Sequence, residues 1–446
     1  MMETSIVRFA DSVNNHISGP SVANWSLLVT QAKTNLMPET YMVTYKERSK
    51  KIKYPKVKML EVELKQDKAV AARMPAQPHF NTVEKALGLV ESLSSKVIAV
   101  AVSGKYSPQA DQFCSILKSN YNKDCKLVIE GHGSEVCGYQ LLNFENLYKN
   151  IYKRADLVLL METPFAKLMF ERNKFPTDNM AVCPTVVRWE DNIKKIKENP
   201  KIINNVREKY YKRYKIPPNS EFVLTIGRFQ QEKGHKYLVL AAKKILKEYP
   251  HLYFLLGGSE EGTINEIKKL IGNEKRIKLL KEIPFTDFYA LIANSIAFVI
   301  PSIEIWRGER IYFAETGPRT VVEALAAGIV GKNIVIASAS GGTPWKFNME
   351  EWLLESSKVG AQTPEKPIYK NISTNKKASV YKANNRALLV EQKNPEAIAE
   401  AIRIIIEDRE LAKQLNKEGG RYVKEWYGSK KITMIYNRIL KTVTNS

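Results

Sequence analysis

The chain has 446 residues, 44% of them apolar and 26% charged, with a formal net charge of +22. This is too long for one small core and comfortable for two α/β domains, and it excludes a disordered or fibrous chain. Residues 201–250 carry twelve Lys and Arg against four Asp and Glu, whereas 251–350 carry eleven of each sign; nucleic acid, acidic lipid, an anionic sugar donor or a heat-adapted surface would each explain such a local surplus.

Short β-branched runs alternate with helix-period stretches, the pattern of parallel sheets with crossover helices. In the first half the predicted strands are Ile6–Ala10, Thr40–Tyr45, Val57–Val62, Val97–Val102, Leu127–Glu130, Leu157–Met161 and Met180–Cys183. Ser21–Leu36 and Ser107–Ser119 have helical spacing. A boundary is predicted across 188–217, where the basic stretch from Lys194 to Lys215 ends at Pro217-Pro218. Its run Arg207–Lys215 reads better as the solvated face of a surface helix than as a nucleic-acid or membrane patch, because charge runs usually face water. A second series of strands is predicted at Phe222–Ile226, Tyr253–Leu256, Ile277–Leu280, Ala297–Ile300, Ile334–Ala337 and Ala387–Val390. The tail, Glu396–Asn445, is helical in pattern and broken at Gly419-Gly420 and Gly428.

The expected organisation is a Rossmann-like domain over 1–190, a basic segment over 191–217, a second Rossmann-like domain over 218–425, and a helix over 426–446 placed to cross back. Ligand is expected in a central cleft, since doubly wound sheets bind beyond the carboxyl ends of their strands. No signal-peptide layout opens the chain, and no apolar run reaches the ~18–20 residues of a membrane span. A cytoplasmic protein is expected, with peripheral membrane contact left open. Cys114, Cys125, Cys137 and Cys183 form no CxxC pair and the five histidines are dispersed. Buried free thiols are expected, and neither zinc nor disulfides.

Two segments carry chemistry. Leu224–Gly234 runs a buried strand into Gly227, Arg228 and then Lys233 before a helix. Two cations in a loop that leads into a helix N-terminus suit a diphosphate. In Tyr312–Gly328, Pro318 suits the first helical position and Gly328 the C-terminal cap. Glu315 then lies just before the helix and Glu323 in its second turn. Helical side chains lean toward the N-terminus, so both carboxylates reach the space above it. Burying Glu323 amid Val and Ala is costly unless it is hydrogen-bonded, and vicinal sugar hydroxyls are suitable partners. Taken singly, each segment also reads as ordinary solvated charge.

Together, Gly-Arg-x(4)-Lys-Gly and the later Glu-x(7)-Glu-Ala-x-Ala-x-Gly resemble the retaining, GT-B-fold glycosyltransferases of family 4 over Phe222 to about Tyr427. Phe254–Gly258, Ile283-Pro284, Tyr289–Ser295, Pro301-Ser302 and Ser340–Gly342 resemble further landmarks in order. The resemblance implies that Arg228 and Lys233, with Gly227 at their loop, neutralise the diphosphate of a nucleoside-diphosphate sugar. It implies that Glu315 binds sugar hydroxyls, Glu323 the ribose, and Gly317 offers a backbone N–H. Where the family has Glu-Pro-Phe-Gly, this chain has Glu315-Thr316-Gly317-Pro318. Pro318 lacks an N–H, so Arg319 or Thr320 is expected to compensate. Glu304–Ile311 and Gly331–Asn333 read as loop insertions bordering the donor site. In the first half, Val128–Glu135 resembles a strand followed by a loop whose His132 faces the reacting centre, and Ser18–Pro20, with Gly19, stands weakly for a glycine-rich loop.

The implied reaction keeps the anomeric configuration and needs neither metal nor cofactor beyond the donor itself. The acceptor is open among glycans, lipid-linked carriers and proteins. A same-fold phosphorylase or disaccharide synthase is the nearest alternative. A sugar-nucleotide epimerase would need acid and base groups not found here. A basic nucleic-acid-binding protein with a decayed sugar site is disfavoured, because both the cationic and the carboxylate pairs are intact.

Overall fold

Strand runs without a polar residue can be buried on both faces only when helices cover each side of a parallel sheet. Two such sheets form in the computed structural model, which describes residues 4–10, 19–45, 56–62, 80–132, 145–258, 262–281 and 283–444. The chain divides into two units. Unit 1 spans 1–186, 351–364 and 429–446, and unit 2 spans 187–350 and 365–428.

Unit 1 is built on β1 (Thr4–Phe9), β2 (Thr40–Tyr45), β3 (Val57–Val62), β4 (Lys96–Ala101), β5 (Asp124–Gly131), β6 (Leu157–Leu160) and β7 (Met180–Val182). They lie in the order β3-β2-β1-β4-β5-β6-β7, all parallel. The order reverses between β1 and β4, whose register pairs Arg8 with Val100. The last helix, Ser429–Thr444, returns to this unit and packs on the helix Gly19–Lys33. Cys114, Cys125 and Cys183 are buried free thiols, and Cys137 lies outside the described residues.

Unit 2 contains β8 (Glu221–Ile226), β9 (Leu252–Gly257), β10 (Ile277–Leu280), β11 (Ala297–Ile300), a hairpin of β12 (Ile305–Arg307) and β13 (Arg310–Phe313), β14 (Ile334–Ser338), β15 (Lys370–Asn371), β16 (Val380–Ala383) and β17 (Ala387–Val390). The main sheet runs β10-β9-β8-β11-β14-β17-β16-β15, and its last two strands are antiparallel additions. Its order reverses between β8 and β11, so the topological switch point is the carboxyl end of that pair. One core joins Leu238, Ala242 and Ile245 from the helix after β8 to Phe254, Val299, Ile336, Leu388 and Ile402.

Three expectations are corrected. Glu304–Ile311 is not an irregular loop, because most of it forms the β12–β13 hairpin. Gly331–Asn333 sits before the amino end of β14, where a Cβ on Gly331 would lie 2.3 Å from the Ala293 carbonyl oxygen. It is therefore at the opposite end of the sheet from the switch point. Gly419-Gly420 does not break a helix: Arg409–Trp426 runs through it. A Cβ on Gly419 would meet Leu325 at 2.8 Å, so the missing side chains let this helix seat closely against Arg319–Ala327.

The basic segment folds as two helices, Glu190–Glu198 and Lys201–Tyr214. Tyr210 and Tyr211 of the second are buried, Arg207 lies 4.9 Å over the Tyr211 ring, and Lys209 reaches Asp287 at 2.6 Å. Its aromatic residues thus belong to packing while its cations rim the surface. Among the described residues no helix is long and apolar enough to cross a membrane.

Candidate functional site

The switch point of unit 2 is where the two chemistry-bearing segments meet. After β8 the chain turns through Gly227 and Arg228 to Lys233 and Gly234, then enters the helix His235–Ile245. Gly234 has φ +67°, and a Cβ there would stand 1.8 Å from the Pro301 carbonyl oxygen. This close approach draws the β8 loop against the end of β11, and the Ile303 N–H donates to the Glu232 carbonyl at 2.8 Å.

Lys233 Nζ consequently lies 2.5 Å from Glu315 Oε1, and Ser302 Oγ donates to the same oxygen at 3.0 Å. Lys233 also stands 5.8 Å over the Phe313 ring. The Glu315 backbone is fixed separately, because its carbonyl accepts the Gly342 N–H at 2.6 Å. Gly341 makes that turn with φ +51°, and a Cβ on it would lie 2.3 Å from the Glu315 carbonyl oxygen. An ammonium has three N–H donors and a carboxylate about four acceptor positions. The Lys233–Glu315 pair uses part of each. Arg228 is 3.7 Å from Glu232 with its side chain 64% exposed, so its charge is directed to solvent.

Pro318 is the N-cap of the next helix, with φ −61° and ψ 121°, and does not occupy its first turn. The helix begins at Arg319, followed by Thr320, and Gly317 is buried in the bend before it. Glu323 is buried, and its Oε1 accepts a bond from Arg319 at 3.2 Å. Burial raises the Glu323 pKa, and the Arg319 guanidinium offsets part of that rise. The carboxylate expected to be held by ribose hydroxyls is thus held here by a cation one turn earlier.

Some polar groups around this end have no partner among the described residues. The Ser338, Ser340 and Thr343 hydroxyls, at and after the end of β14, are buried and unpaired. Buried polar groups normally find partners, so these hydroxyls are open to water or to a polar ligand. His235 is also buried with both ring nitrogens unpaired, its ring 4.6 Å from Phe229. Burial, and then the neighbouring Lys233, lower its pKa to about 3, so it is neutral at physiological pH.

In unit 1, Gly19 opens the helix that ends at Lys33, while Ser18 and residues 133–135 lie outside the described residues. His132 follows β5, and its Nε2 is 3.3 Å from Glu130 Oε2. Glu130 is the centre of a buried network that sequence reading missed. Arg8 donates to both of its oxygens at 2.8 and 2.9 Å, to Tyr436 Oη at 2.7 Å and to Asn24 at 3.0 Å. Tyr436, from the returning helix, donates to Glu130 at 2.6 Å. Burial alone would raise the Glu130 pKa, but Arg8, His132 and Tyr436 together lower it to about 2. The signal was available: Arg8 and Glu130 each interrupt an apolar strand, where a charge needs a buried partner.

Residues 206–362 match the family model described as Glycosyl transferases group 1. That segment resembles a group 1 glycosyltransferase domain. It is 26% identical over 184 residues to a glycosyltransferase of Methanocaldococcus jannaschii, a match covering 40% of this chain and 39% of that relative. Among solved structures, a glycosyltransferase from Rickettsia africae is 18% identical with a TM-score of 0.67, each chain covered to 99%. Sucrose-phosphate synthase from Thermosynechococcus elongatus is 17% identical with a TM-score of 0.66, over 99% of this chain and 100% of that one. Anabaena HepE, solved with UDP and glucose, is 13% identical with a TM-score of 0.64, both chains covered fully. The shared fold is the two-sheet GT-B architecture. The segment matched to the group 1 family contains the whole Arg228–Lys233 and Glu315–Glu323 constellation.

Proposed function

We propose that this protein moves a sugar from a nucleoside-diphosphate sugar to an acceptor hydroxyl, with retention at the anomeric carbon. The observation that carries the reading is the Lys233–Glu315 pair, braced by Ser302 at the β8/β11 switch point within the group 1 segment. That HepE was solved with UDP and with UDP-glucose makes a UDP-sugar the first donor to try.

Breaking the bond to phosphate develops negative charge on the diphosphate and oxocarbenium character on the sugar. Lys233 and the N-terminus of the helix Arg319–Ala327 are fixed positive groups for that diphosphate, so their contribution is electrostatic preorganisation, and the solvent-facing Arg228 adds a mobile cation that closes on it. Glu315 accepts from donor-sugar hydroxyls and fixes the ring. The Ser338, Ser340 and Thr343 hydroxyls supply further polar contacts on the same side. Glu323 takes the ribose, and Arg319 faces the phosphates in place of the N–H that Pro318 lacks. The departing phosphate oxygen takes the acceptor proton on the face it leaves, so no protein general base is assigned.

A product assay with UDP-, GDP- and ADP-glucose tests this. An α-linked product and free nucleoside diphosphate should form with one donor, and Glu315→Gln should abolish product while the circular-dichroism spectrum is kept. Full activity of Glu315→Gln would overturn the site assignment, and release of glucose 1-phosphate from a glucan with inorganic phosphate would favour a phosphorylase.

A further inference from the structure

We infer that the β12–β13 hairpin is a saccharide-binding platform for the acceptor, with a pyranose ring lying on Trp306. The inference rests on the glycosyltransferase reading and adds the chemical class of the acceptor.

The hairpin hangs from the carboxyl end of β11 and returns directly into Glu315. Its base is locked to that site by one carboxylate. Glu304 Oε1 accepts the Gly341 N–H at 2.8 Å, while its Oε2 accepts the Trp306 indole N–H at 3.2 Å. The Glu304 N–H itself donates to Gln392 at 2.7 Å. On the return strand, Phe313 lies beneath Lys233. The hairpin is thus positioned by the same residues that position the donor carboxylate.

The hairpin presents an aromatic face and a stacked cation to solvent. Trp306 is 46% exposed, and Arg307 lies exposed with its guanidinium 3.7 Å over the Tyr312 ring. Isolated two-stranded hairpins bury little, and about half of the indole face stays in contact with water. A sugar ring has a face of C–H groups bordered by hydroxyls. An indole whose N–H is already satisfied offers a flat apolar surface to that face, and a stacked guanidinium offers forked donors to the hydroxyls or to an attached phosphate. The Glu304 carboxylate sets the angle of the indole. One indole beside one Arg–Tyr stack matches a single sugar ring, whereas a stable protein partner needs about 800 Å² on each side.

The test compares the unaltered chain with Trp306→Ala, Trp306→Phe and Arg307→Ala. Saturation-transfer NMR is run with glucose, maltose, cellobiose and glucose 6-phosphate, with UDP, GDP or ADP at saturation. At least one sugar should show saturation at its ring C–H protons. Trp306→Ala should weaken it by about tenfold, as expected for one lost aromatic contact, and Trp306→Phe should restore most of it. Arg307→Ala should weaken glucose 6-phosphate most, and nucleotide affinity should stay within about twofold throughout. Three outcomes overturn the inference alone: no sugar response while nucleotide binds, an unchanged response in Trp306→Ala, or conversion of a dimer to a monomer by that variant. Absence of any nucleotide binding in the unaltered chain overturns the glycosyltransferase reading, and the inference with it.

Discussion

Replacing Arg8 with Met removes the cation from the centre of unit 1 while keeping its volume nearly constant. Arg8 and Glu130 have side chains 2% and 1% exposed, so the carboxylate left behind has no water to replace its two guanidinium bonds. Breaking a buried pair from one side costs about 3–5 kcal/mol. The pH dependence expresses the same contact from the carboxylate's side. Glu130 falls from an ordinary 4.5 to about 2 in the folded chain, where burial is outweighed by Arg8, His132 and Tyr436. A depressed carboxylate contributes stability above its unfolded pKa and loses it as pH falls through the folded one; this linkage is worth roughly 3 kcal/mol at neutral pH. In Arg8→Met the sign reverses, because burial now raises the carboxyl and protonation relieves it. Urea and calorimetric unfolding should therefore show unit 1 destabilised by about 3–5 kcal/mol at pH 7. The gap should narrow steadily toward pH 3, and Arg8→Met combined with Glu130→Met should recover most of the loss. A deficit below about 1 kcal/mol at pH 7, or one that does not change with pH, would refute the reasoning.

Two further predictions concern unit 2. His235 is neutral and buried with its pKa lowered to about 3 by burial and Lys233, so its contribution is complete above pH 6.5 and is lost between 6.5 and about 3. Midpoint temperatures of His235→Phe should decline less steeply over that window than those of the unaltered chain, and parallel declines would contradict this. Gly341→Ala places a methyl 2.3 Å from the Glu315 carbonyl oxygen at a positive φ. It should cost about 1–3 kcal/mol and lower transfer at least tenfold by displacing Glu315; normal kcat/KM would show that the turn does not fix the carboxylate.

The parallel strands were legible because each carries a short run of β-branched and other apolar residues, a few of them interrupted by a charge. Val57–Val62, Ile277–Leu280, Ala297–Ile300 and Ala387–Val390 begin and end where those runs do. The group 1 motif was legible for the same reason, since a strand, a glycine and two cations occupy fixed places in one loop. Three features escaped. The hairpin strands Ile305–Arg307 and Arg310–Phe313 are too short and charged to show alternation. Gly419-Gly420 looks like a stop signal in one dimension, and only packing against Leu325 reveals a close-approach surface. The Glu130 network joins residues 8, 24, 130 and 436, and nothing local links positions so far apart. Glu323 is a subtler case. Its placement in the second turn was readable, but its pairing with Arg319 required the side-chain geometry.

On the proposed function, the carboxyl end of β8 and β11 binds a nucleoside diphosphate through Lys233 and its neighbours. Isothermal titration with UDP, GDP and ADP, on the unaltered chain and on Lys233→Met, tests it directly. One nucleotide should bind saturably at one site per chain, and Lys233→Met should weaken it by about tenfold or more, the loss of one charge-assisted contact. Saturable binding of equal strength in Lys233→Met, or no binding of any of the three, would contradict the account.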